Sequence, residues 1–232
     1  MFPLKDDQPR YSTPFVTWFL IAINILIFLF EVQLSRQGLL QLFDQFGLVP
    51  ANVGLFLSHG NFLQAIVPFF TSMFLHEGVA HVLGNMWFLY IFGDNVEDYL
   101  GHFPYLVFYL LSGLCAGAVQ SLVNPHSHVG MVGASGAIAG VLGAYFLLYP
   151  RSRVLTWFFV FVMYLPAWVV LGEWIVLQFL QGGQMLTMAA KRDVGGVAFW
   201  AHVGGFLAGL IMIKLFPERK QRYPYATRRI EY

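Results

Sequence analysis

Gly133-Ala134-Ser135-Gly136-Ala137-Ile138-Ala139-Gly140-Val141-Leu142-Gly143-Ala144-Tyr145-Phe146-Leu147-Leu148-Tyr149-Pro150 decides how this chain is read. It opens on a serine, runs apolar, and is stopped by a proline. Gly133, Gly136, Gly140 and Gly143 follow i, i+3, i+7, i+10, which at 100° per residue keeps them within about 80° of arc on a helix. Small residues on one stripe let membrane helices approach closely. A serine hydroxyl is a weak nucleophile and needs a base. One stands far downstream in a second apolar run, Ala201-His202-Val203-Gly204-Gly205, where His202, Gly205 and Gly209 repeat the i, i+3, i+7 spacing. Two glycine stripes packed face to face would carry the imidazole to the hydroxyl. A hydroxyl and an imidazole in separate apolar runs point to peptide-bond hydrolysis inside a bilayer.

Composition agrees with that setting. Of 232 residues, 58% are hydrophobic and 11% charged, less than half the charged fraction of about 25% in soluble domains. The apolar residues come in runs of about 20, the length that spans roughly 30 Å of hydrocarbon. The expectation is an all-α polytopic membrane protein with six spans, at residues 15–34, 79–100, 103–123, 135–149, 154–180 and 197–216. Residues 1–14 form a polar leading segment, 15–216 the membrane domain and 217–232 a basic tail. The first run is long enough to span and lacks a small-residue cleavage site, so it reads as a retained helix. A net charge of +1 gives no reason to expect nucleic acid as partner. Cys115 has no second cysteine to pair with and reads as a small packing residue.

Six spans put both termini on one side. With the termini inside, Lys5, Arg10, Arg151, Arg153, Lys214, Arg219, Lys220, Arg222, Arg228 and Arg229 are inner, and only Arg36, Lys191 and Arg192 are outer. The positive-inside rule therefore makes the termini cytoplasmic. Residues 35–78 form a long outer segment that is amphipathic to apolar, expected at the interface or folded onto the helices.

The same topology sets four polar side chains at similar depth near the outer face. His81 and Asn85, at i and i+4, share a face of the second span; Ser135 opens the fourth; His202 lies in the outer half of the sixth. Polar groups at such depth usually face the protein interior or a water-filled cavity. The chemistry then reads as follows: neutral His202 takes the Ser135 proton, the oxygen attacks a carbonyl, and the oxyanion is met by the Ser135 backbone N–H at a helix N-terminus together with His81 and Asn85. No acidic residue is placed to orient His202, so a dyad is expected.

These residues resemble the rhomboid family of intramembrane serine proteases. Gly133-Ala134-Ser135-Gly136 is similar to its GxSG motif, His81-Val82-Leu83-Gly84-Asn85 to its HxxxN element, and Ala201-His202-Val203-Gly204-Gly205 to its AHxxG element. Phe92-Gly93-Asp94-Asn95-Val96-Glu97-Asp98 also resembles the family's second-span region. The resemblance implies a bacterial-type six-helix bundle with an outward-open wet cavity. It implies Ser135 as nucleophile, His202 as base, and His81 and Asn85 at the oxyanion. It further implies single-span membrane proteins as substrates, a gate at the fifth span, and no metal or organic cofactor. Packing is expected from Gly133, Gly136, Gly140, Gly205 and Gly209, and support by hydrogen bonding from His76. The protein is expected in a plasma or bacterial inner membrane, with no transit segment evident. Two departures stand out. Where many members carry Trp-Arg in the first outer loop, this chain reads Ala65-Ile66-Val67-Pro68. Where some place a tyrosine that stacks on the histidine, it has Ala139, so His202 must be held by other packing.

Other polar residues suggest weaker readings. His76 and His81 are five apart, about 140° on a helix, whereas a zinc pair needs i and i+4. Glu173, in the fifth span, is open to a gating role, a cavity position or snorkelling. His126 and His128 read as loop residues, Tyr145 and Trp200 as packing aromatics, and the basic tail as a lipid anchor or a solvated end. Two other function classes remain: a non-cutting relative that only binds spans, and a transporter, which might show two similar halves.

Overall fold

The computed structural model describes residues 1–189 and 198–219. Lys191, Arg192 and the tail from Lys220 onward lie outside the described residues, as does the start assigned to the sixth span. The chain runs β1 (Phe2–Asp6), α1 (Phe15–Glu31), α2 (Arg36–Phe46), α3 (Pro50–Ser58), α4 (Phe62–Thr71), a single 3-10 turn (Ser72–Phe74), α5 (Val79–Leu100), α6 (His102–Val123), α7 (Ser135–Leu148), β2 (Arg153–Phe158), β3 (Phe161–Pro166), α8 (Ala167–Ala189) and α9 (Phe199–Met212).

At the centre is α7. Every residue from Gly136 to Tyr145 is buried, which its composition of Gly, Ala and aliphatic side chains permits. It packs against α5, α6, α8 and α9. With 14 residues it is only about 21 Å long at 1.5 Å per residue, short of the roughly 30 Å of hydrocarbon. Glycine makes the fit to α9 possible. A Cβ added to Gly205 would strike the Gly136 carbonyl oxygen, and one on Gly209 the Gly140 carbonyl oxygen. On the other side, Gly136 faces Ala116 and Gly140 faces Ser112, both of α6.

The outer helices present apolar side chains to the surroundings. Phe15, Trp18, Phe19, Leu26, Leu29 and Phe30 of α1 are all exposed, as expected where the solvent is lipid. Among the described residues α6 alone is long and apolar enough to cross a bilayer by itself; α1, α7 and α9 are shorter apolar helices, and α4 with its 3-10 turn meets α5 at a bend of 82°. The start of α1 is held by α5. The fully buried Glu97 accepts from the backbone N–H of Val16 (2.9 Å) and Thr17 (2.7 Å), the Thr17 hydroxyl (2.7 Å) and His102 Nδ1 (2.6 Å). A carboxylate there satisfies orphan helix N–H groups and complements the helix dipole.

The segment 35–78 is three short helices rather than an open loop, and α3 and α4 pack onto α6. In place of Trp-Arg, the Thr71 hydroxyl donates to the Phe46 carbonyl (2.7 Å), Leu48 bridges Met131, and Ala65 and Pro68 are buried in α4.

The structure corrects the all-α expectation and the bounds of the fifth span. Residues 153–166 form an antiparallel hairpin, closed by a two-residue turn at Phe159 and Val160, and β2 also pairs with β1, giving the order β1-β2-β3. Hydropathy cannot separate a strand from a helix in a short apolar run. Here Val, Thr, Trp, Phe and Tyr favour the extended form, and the helix begins only after Pro166. The leading segment is thus partly a strand. It lies along α5, where Pro3 accepts from Trp87 Nε1 (2.8 Å) and Gln8 from Asn95 Nδ2 (3.3 Å).

Candidate active site

The starts of α5, α7 and α9 meet at the end of the bundle away from the sheet. Ser135 Oγ and His202 Nε2 are 2.8 Å apart, across 67 residues of sequence. The glycine contacts between α7 and α9 set that distance, because His202 is one turn before Gly205 and Ser135 one residue before Gly136. A hydrogen bond from Ala201 N–H to Gln120 Oε1 of α6 (3.1 Å) fixes the first turn of α9.

Beside this pair is a cavity of about 530 Å³, bordered by His81, Gly84, Asn85 and Phe88 of α5, the 130–132 stretch, Ser135 and Ile138 of α7, Trp174 of α8, and His202. His81 and Asn85 thus share a chamber with Ser135. Their approach depends on Gly133, whose φ of +122° belongs to the region glycine favours. A Cβ at Gly133 would sit 2.7 Å from His81 Nε2 and 3.5 Å from Asn85 Nδ2. Gly133 N–H is itself held by the Ser72 carbonyl at 2.8 Å. The first N–H groups of α7 have no intrahelical partner, as at any helix start, and no side chain caps them.

Behind the chamber stands a second layer. Asn85 Nδ2 lies 3.0 Å from His76 Nε2, leaving its other amide proton uncommitted. The His76 ring meets His81 edge-on at 5.1 Å, and both oxygens of the buried Glu31 accept from the His76 backbone N–H at 3.2 Å. Glu31 has no motif to mark it in the sequence. Neither have the two neighbours of His202 on α8: Gln178, with Oε1 at 2.7 Å from Nδ1, and Trp174, with its ring 5.6 Å away and tilted by 36°. The i, i+4 spacing of Trp174 and Gln178 was the one available signal, a polar side chain one turn from an aromatic in an apolar run. Glu173 is not among the residues bordering the cavity; its carboxylate lies 3.3 Å from the Met1 ammonium.

An alcohol held against an imidazole, within helices this apolar, defines a class: polytopic helical membrane proteins of the intramembrane-protease type. Known proteins agree. The family model described as the Rhomboid domain matches residues 63–219. Rhomboid-like protein 11, chloroplastic, of Arabidopsis thaliana is 30% identical over 96% of this chain and 71% of its own length. RHOMBOID-like protein 1 of the same plant is 32% identical over 69% of this chain and 36% of its own, and Rhomboid protein 1, mitochondrial, of Saccharomyces cerevisiae is 31% identical over 60% and 39%. The chain belongs to the rhomboid family and is an integral membrane protein. It spans little more than a third of the length of the latter two relatives.

Proposed function

We propose that this protein is an intramembrane serine endopeptidase that cuts single-span membrane proteins within or near their transmembrane segment. The observation that carries the reading is the 2.8 Å contact between Ser135 Oγ and His202 Nε2 at the edge of a cavity. Neutral His202 takes the hydroxyl proton as the Ser135 oxygen attacks the substrate carbonyl carbon. The oxyanion accepts from the Ser135 N–H, the free amide proton of Asn85 and His81. His202 then returns the proton to the leaving amine, and water repeats the sequence on the acyl enzyme. No metal or cofactor enters. The reading counts α1, α5, α6, α7, α8 and α9 as six spans of one domain over 15–216, with cytoplasmic termini by charge bias, in a plasma or bacterial inner membrane.

The test uses purified full chain in detergent with a panel of single-span substrates, beside Ser135→Ala and His202→Ala. Cutting by the parent and by neither variant is expected. Undiminished cutting by Ser135→Ala refutes the mechanism. Capture of substrate without cutting by the parent identifies a binding protein instead.

A further inference from the structure

We propose that Gln178 is the positioning residue of the base: its side-chain oxygen holds the Nδ1–H of His202, so that α8 orients the ring that activates Ser135. The inference rests on the peptidase reading and deepens it.

A neutral imidazole carries one N–H and one lone pair. To accept the Ser135 proton, His202 must present its lone pair at Nε2, the nitrogen 2.8 Å from the hydroxyl. The ring proton is then on Nδ1 and needs an acceptor, since an unmet donor in a buried site is costly. Gln178 Oε1 is 2.7 Å from Nδ1. The opposite tautomer would place the proton between Nε2 and Oγ and leave no base. One turn earlier on α8, Trp174 covers a face of the same ring at 5.6 Å. Two side chains at i and i+4 therefore grip the ring by edge and by face, in a chain with Ala139 where a stacking tyrosine is absent. The choice of an amide follows from the setting. A carboxylate at this place would bring a charge with a large desolvation cost, whereas glutamine supplies the same acceptor geometry as a neutral group. In an apolar span, a glutamine is itself expensive unless it has a partner, and His202 is that partner.

The experiment measures the rate at which a fluorophosphonate labels Ser135, a reaction that needs the base but no transmembrane substrate. It also measures kcat and KM on a single-span substrate. Gln178→Met keeps length and loses the acceptor; Gln178→Glu keeps an acceptor oxygen. Met is expected to lower labelling and kcat by about 10- to 100-fold, by analogy with the loss of a group that orients a metal-bound histidine, with KM within about twofold. Glu is expected to restore most of the labelling. Parent-like labelling in the Met variant, or equal losses in both, overturns the proposal while leaving the peptidase reading intact. A parent that neither labels nor cuts overturns the peptidase reading itself. Should the Met variant fail to fold, the 15N spectrum of histidine-labelled parent decides, with the His202 signal assigned by its loss in His202→Ala: a proton on Nδ1 supports the proposal, and one on Nε2 overturns it.

Discussion

Replacing Gly205 by alanine tests whether helix contact, rather than the motif residues alone, sets the site. The added Cβ would lie 3.1 Å from the Gly136 carbonyl carbon and 3.2 Å from Ala139 Cβ, with the Gly136 oxygen closer still. Both neighbours belong to a helix buried on every side, so neither can rotate away. Relief requires α9 to move from α7 on the order of 1 Å, and overpacking of this kind costs about 1–3 kcal/mol. His202 is three residues from Gly205 and moves with it. A 2.8 Å contact lengthened by that amount passes the range of a useful hydrogen bond, about 3.2 Å. A misplacement of about 1 Å can cost on the order of 100-fold in rate. Gly205→Ala is therefore expected to lower kcat about 100-fold and to lower the unfolding midpoint in detergent. Gly54→Ala, where a Cβ would meet nothing within 4 Å, should do neither. Initial rates on a fluorogenic single-span substrate, read beside thermal unfolding, check both. Parent-like activity in Gly205→Ala would show that α9 can retreat without moving the imidazole, and the packing argument would fail.

Two further outcomes are expected. Asn85→Ala should lower kcat by about 100- to 1000-fold, the cost of one oxyanion donor, with KM little changed; an unchanged rate removes Asn85 from that place. Burial pushes the Asp6 carboxyl up to about 6 against the hydrogen bond it accepts from Tyr145. The folded state then binds this proton more tightly than the unfolded one, so the Asp6 contribution to stability is present below the unfolded value of 3.8 and lost as pH rises through about 6. Asp6→Asn should accordingly unfold at a higher temperature than the parent at pH 7 and level with it near pH 4, as read by thermal scans at both; a difference of equal size at both values argues against this titration.

How much of this was legible beforehand divides along a physical line. Ser135, His202, His81 and Asn85 stand out because a polar side chain in an apolar run is costly and so is rarely idle. The glycine stripe of α9 was legible because the period of a helix fixes which residues share a face; on α7, Gly136 and Gly140 turn instead to α6, and Gly133 precedes the helix and faces His81. The sheet was not. Residues 154–166 are as apolar as a span, and what makes them strands is pairing with each other and with Phe2–Asp6, a segment about 150 residues away whose own composition is mixed. Glu31, buried behind His76, was invisible for a related reason, and Gln178 carried only its spacing from Trp174. Each is a single polar residue whose meaning is its partner, and the partners are 45 and 24 residues distant. His76, expected to support by hydrogen bonding, lies 3.0 Å from the Asn85 amide.

The division also bears on how the proposed chemistry would operate in lipid. A soluble serine protease can orient its histidine with a buried aspartate. Within a span, that carboxylate would carry a large desolvation cost. Close packing is the available substitute. Gly205 and Gly209 of α9 admit the Gly136 and Gly140 carbonyls of α7, so the imidazole reaches the hydroxyl at short range without a charge to draw it there. The neutral side chains Gln178 and Trp174 then restrain the ring from α8, the same helix that borders the cavity through Trp174. The consequence is that the side-chain restraints on the ring and part of the chamber's boundary come from one element. A displacement of α8 large enough to widen the cavity would also draw both restraints from His202, whereas α9, locked to α7 by the glycine contacts, would keep the ring near Ser135.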